Sequence, residues 1–92
     1  MMEPPEAFSY LMIWFDSEIR RCYPAELADP IGFAIRRVSA AQRQEAKAFI
    51  RMSLAEAQPG ELQEMYRRSE ARVFFDKEAA LRHFLTDVER RL

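Results

Sequence analysis

One histidine, one cysteine and scattered carboxylates hold whatever acid–base or nucleophilic chemistry this 92-residue chain possesses. His83 precedes Asp87 by four residues, the spacing at which a helical carboxylate orients an imidazole for base catalysis. The same spacing is an ordinary solvent-facing helix pair, and His83 falls away from the apolar stripe of Leu81, Leu85 and Val88. Cys22 has no second cysteine and no histidine nearby in sequence, so neither a disulfide nor a zinc set nor a redox pair can be built from it. It is expected to be a half-covered, inert thiol. Asp16, Glu18, Glu26 and Asp29 cluster loosely. A general acid–base pair needs a cleft and a perturbed pKa, and their spacing demands neither. With no phosphate loop, nucleophile elbow or metal-ligand spacing, the expectation is a protein that is not an enzyme and takes no metal or cofactor.

Two residue sets suit recognition better than catalysis. Tyr10, Trp14, Ser17 and Arg21 form a row at i, i+4, i+7 and i+11, outside the inward stripe of Phe8, Leu11, Met12, Phe15 and Ile19 on the same helix. Either that helix is buried on two sides, with Tyr10 and Trp14 packed under another segment, or the row is a partner surface. Tyrosine, tryptophan and arginine are the types that dominate interface energetics, and the neighbouring carboxylates supply complementary charge. On the second reading the contact residues are Tyr10, Trp14, Asp16, Glu18, Glu26 and Asp29. The other set is basic: Arg36, Arg37, Arg43, Lys47 and Arg51, the last three at i, i+4 and i+8. Such a row could meet nucleic-acid phosphates from a helix-turn-helix. The joint "RVSAAQ" lacks the usual glycine turn, however, and nucleic acid is the less favoured partner.

Composition sets the frame for both. At 49% hydrophobic and 32% charged, the chain is globular rather than disordered, and residues 1–92 are too few to divide into two self-sufficient cores. Fourteen bases against fifteen acids leave a net charge of −1, so no global field draws in nucleic acid or membrane. The distribution is nevertheless uneven: residues 1–29 hold six acids and two bases, and residues 30–55 hold one acid, Glu45, and five bases. No apolar run approaches the roughly 20 residues of a membrane span, and "MMEPPE" lacks the basic opening of a signal peptide. The expected compartment is the cytoplasm.

Helices must position these groups, since two glycines offer little material for hairpins. The apolar spacing predicts a first helix from Pro5 or Glu6 to Arg20 or Arg21. Asp29 as cap with Pro30 behind it predicts a short helix through Val38, and Ser39 with Gln42 is a capping box opening a helix from Ala40 to about Ala57. "QPGE" ends that helix, after which Glu61 to Ser69 reads as two turns burying Leu62, Met65 and Tyr66. "ARVFF" is β-branched and aromatic but has no strand partner, and is expected to be an apolar connector. Asp76 is expected to cap the last helix, whose stripe is Leu81, Phe84, Leu85, Val88 and Leu92. The sum is an all-α bundle of four to five helices in a single domain, 1–92.

In that order, "WFDSE", a short helix, "SAAQRQEAKAFI", "LAEAQPGELQEMY", "VFF" and "LRHFLTDVERRL" resemble the small helical immunity proteins of bacterial contact-dependent growth inhibition systems. The resemblance implies binding without catalysis: a cytoplasmic monomer or weak homodimer that occludes a cognate toxin domain, often a nuclease. It carries over Trp14, Phe15, Asp16 and Glu18 as the matching segment. Many such proteins are strongly acidic, whereas this chain carries a net charge of only −1.

Overall fold

The computed structural model describes residues 2–23 and 28–92, which are helical with no strand among them. α1 (Glu6–Ile13) starts where the extended Pro5 offers its carbonyl to the amides of Phe8 and Ser9, and Glu6 places an acid in the electropositive first turn. The helix expected to run on to Arg20 or Arg21 instead stops at Ile13. The amides of Trp14, Phe15 and Asp16 bond three residues back, to Leu11, Met12 and Ile13, tightening the last turn. The Asp16 carboxylate then accepts the Glu18 amide at 2.8 Å and opens a single-turn α2 (Ser17–Arg20). An aspartate that can cap a following turn competes with continuation of the helix it ends.

α3 (Pro30–Ile35) forms as the capping residues dictate. Asp29 accepts the Gly32 amide at 3.1 Å, with Pro30 in the first turn. A Cβ on Gly32 would lie 2.2 Å from Asp29 Oδ2, so only glycine lets the cap lie this close. α4 (Ala40–Glu56) opens with the full capping box: Ser39 Oγ accepts the Gln42 amide at 3.1 Å and Gln42 Oε1 accepts the Ser39 amide at 2.9 Å. Gly60, at φ +85°, makes the left-handed turn into α5 (Glu61–Arg68).

Residues 71–75 form the connector that was expected, but only its ends pack against the bundle, and Arg72, Val73 and Phe74 are exposed. Phe75 turns inward onto Tyr66 and Phe84, while Phe74 is 74% exposed. Tyr66 Oη donates to the Val73 carbonyl at 2.5 Å, and burial pushes its phenol up to about 12. Gln63 Nε2 reaches the carbonyls of Phe75 and Asp76, which holds the chain extended past the expected cap. α6 (Glu78–Arg91) therefore begins after Lys77 and has no side-chain cap, correcting Asp76.

The core sits where α1 and α6 pack on α4, with α5 and α3 closing the ends of α6. Phe8, Leu11, Met12, Ile50, Leu62, Met65, Leu81, Leu85 and Val88 are sealed in it. Phe15 stays buried through the break after α1, edge-on to Phe84 at 5.0 Å. Ser53 is fully buried as well, its hydroxyl satisfied by the Phe49 carbonyl at 2.8 Å.

Candidate functional site

The break after Ile13 sets the surface chemistry of this end of the bundle. Because α1 stops short, its outward face runs into α2 at an open step, against which the residues following α5 return. Two recesses of about 510 and 410 Å³ flank this step. Pro4, Glu6, Ser9, Tyr10, Ile13 and Glu70 line the first. Ile13, Asp16, Glu18, Ile19, Cys22, Glu70 and Arg72 line the second. Ile13 and Glu70 belong to both, so the two make one groove with Ile13 at its saddle.

The groove has an apolar floor and an acidic rim. Ile13 and Ile19 are half-buried, and Tyr10 offers a ring that is 37% exposed. Glu6, Asp16, Glu18 and Glu70 ring this floor against one guanidinium among the described lining residues, Arg72. Arg72 Nε lies 3.7 Å from Asp16 Oδ2, a loose contact for a side chain that is 70% exposed. Asp16 is thus tied twice, to the Glu18 amide and to Arg72.

The expected contact residues divide between this groove and the far side of α1. Tyr10, Asp16 and Glu18 line it; Trp14 does not. The Trp14 indole packs on Tyr10 and Phe33, with ring centroids 6.1 and 6.2 Å away, and Arg37 lies over it at 5.8 Å. Trp14 Nε1 is out of solvent with no acceptor among the described residues. This tryptophan joins α1 to α3, so of the two sequence readings the packed one describes Trp14 and the exposed one describes Tyr10. Asp29 is likewise occupied elsewhere. Besides capping α3, its carboxylate takes a two-pronged contact from Arg91 at 2.6 and 3.0 Å. Arg91 and the Gly32 amide hold its pKa at about 2, below the ordinary 3.8. Glu26 lies outside the described residues.

Three of the five basic residues bond to neighbouring groups of the fold. Arg37 stacks over Phe33 at 3.7 Å and Tyr23 at 4.6 Å and donates to the Phe33 carbonyl at 2.9 Å. Arg43 Nε reaches the Ile35 carbonyl at 3.3 Å, completing the C-terminus of α3. Arg51 bonds Glu89 Oε1 at 2.7 and 3.0 Å. A row that was continuous in sequence therefore has two of its three members, Arg43 and Arg51, turned toward neighbouring elements.

Catalytic groupings do not assemble among the described residues. His83 is 82% exposed beside Asp87 at 3.5 Å, the solvent-facing pair its spacing suggested. Cys22 is exposed at the groove's end rather than half-covered, lying just past the end of α2. No group of three or more His, Cys, Asp or Glu among the described residues is placed to hold a metal ion, and no described helix is long and apolar enough to cross a membrane. Pro4, Glu6, Ser9, Ile13, Ile19, Cys22, Glu70 and Arg72 also line the groove and were not among the expected contact residues. The amphipathic pattern leaves Ile13 outside the core stripe, but no local pattern ties residues 70 and 72 to α1. Comparison of the chain with family models, with curated proteins and with solved structures finds no match in any of the three.

Proposed function

We propose that the protein is an immunity protein of a contact-dependent growth inhibition system, a cytoplasmic, non-catalytic binder that neutralises a cognate toxin domain. The observation that supports this reading most is the groove beside α1: an apolar floor with an acidic rim, in a molecule whose exposed histidine and cysteine stand far apart in sequence and share no cluster. Immunity by occlusion needs a surface that recognises a partner and no reactive group. Apolar and aromatic side chains anchor such a surface, and carboxylates steer a basic partner onto it. Tyr10, Asp16 and Glu18 serve these roles here, with Trp14 bracing Tyr10 from behind.

The test is to identify the reading frames beside the gene for this chain and, where one encodes a large secreted protein with a toxic C-terminal domain, to co-express that domain with this chain. Cells expressing both are expected to grow and to yield a stoichiometric complex. Tyr10→Ala with Glu18→Lys, both at exposed positions, is expected to weaken that complex at least about tenfold without changing the helical signal. Growth arrest in the presence of the intact chain overturns the proposal.

A further inference from the structure

The groove's shape and charge narrow what fits it. Among its lining residues, four carboxylates face one guanidinium, whereas the whole chain is nearly neutral at −1. Glu6 and Glu70 border one recess, and Asp16, Glu18 and Glu70 the other, with Ile13 between them. An acidic peptide entering here would meet like charge at both ends, and an uncharged one would leave carboxylates facing apolar surface.

We propose that the groove receives a basic amphipathic segment of a protein partner. An apolar side chain seats on Ile13 between Tyr10 and Ile19, and lysine or arginine on either side meets Glu6 at one end and Asp16 and Glu18 at the other, with Glu70 bordering both recesses. Arg72 holds the place of one such cation. Its contact with Asp16 is long and its side chain mostly exposed, so an incoming lysine or arginine displaces it and gains a carboxylate already fixed by the Glu18 amide.

This inference rests on the reading of the chain as a protein-binding module, but its test does not need the toxin. The probes are a synthetic peptide of about 14 residues with leucine and lysine in helical alternation, and its counterpart with glutamate for lysine. Binding is followed by backbone-amide NMR. The lysine peptide is expected to shift the amides of Glu6, Tyr10, Ile13, Glu18 and Glu70, more weakly as salt rises, and the glutamate peptide to shift none. Ile13→Ser and Glu70→Lys are each expected to lower the affinity at least about tenfold. Glu70 is exposed, so its variant remains informative even if the half-buried Ile13 position proves intolerant.

Equal binding of both peptides, or an unchanged affinity in Glu70→Lys, overturns the proposal. So does a doubled mass in sedimentation that Ile13→Ser abolishes, which would give the groove to a second copy of the chain. A toxin complex indifferent to Glu70→Lys would remove the groove and keep the toxin reading. Peptide binding as described, with no toxin neutralised, would do the reverse.

Discussion

At the scale of single residues, Asp29 carries the clearest electrostatic commitment. It caps α3 through the Gly32 amide and pairs with Arg91 across 62 positions of sequence. Its folded pKa of about 2 lies below the ordinary 3.8, so protons bind the unfolded chain more readily. The stabilisation is therefore complete above about pH 4 and is lost as pH falls through about 2. Asp29→Asn is expected to melt below wild type at pH 7 and to converge with it near pH 2, as followed by circular dichroism. A difference of the same size at both pH values would show that the charge is not the cause. Being half-exposed, the pair is open to screening, and added salt should narrow the gap.

At the scale of elements, caps decide more than apolar periodicity does. Ser39→Ala removes one arm of the capping box at an exposed position and is expected to cost about 1 kcal/mol, or roughly 4–8 °C in a domain of this size, measurable by thermal denaturation. No loss would mean that α4 starts independently of Ser39. The same caps made α3 and α4 legible in the sequence, because each signal acts within three residues of the group it satisfies. The end of α1 was not legible. Phe8, Leu11, Met12, Phe15 and Ile19 keep helical spacing straight through the break, and Phe15 stays in the core, so the stripe hides the turn. Only the Asp16 side chain, bonding two residues ahead, marks it. The start of α6 misled for the opposite reason: Asp76 is a good local cap, but Gln63, thirteen residues earlier, claims its carbonyl.

At the scale of the whole molecule, a near-zero net charge conceals a division of labour. Among the bases of residues 30–55, Arg37 is held on Phe33, Arg43 on the end of α3 and the mostly exposed Arg51 on Glu89, while Glu6, Glu18 and Glu70 stand exposed beside α1. The sequence showed the uneven charge and the spare apolar perimeter of the first helix. It could not show that Glu70 and Arg72 fold back to complete the groove, since that contact depends on how α5 and the connector pack more than fifty residues away from Asp16. The central claim is that this outward face of α1 is where a partner binds. Hydrogen exchange of the chain alone and in complex with a toxin domain that it neutralises tests it most directly. The account predicts added protection at residues 4–22 and around residues 70–72. Protection centred on α4 beside Arg43 and Lys47, with the groove unchanged, would contradict it.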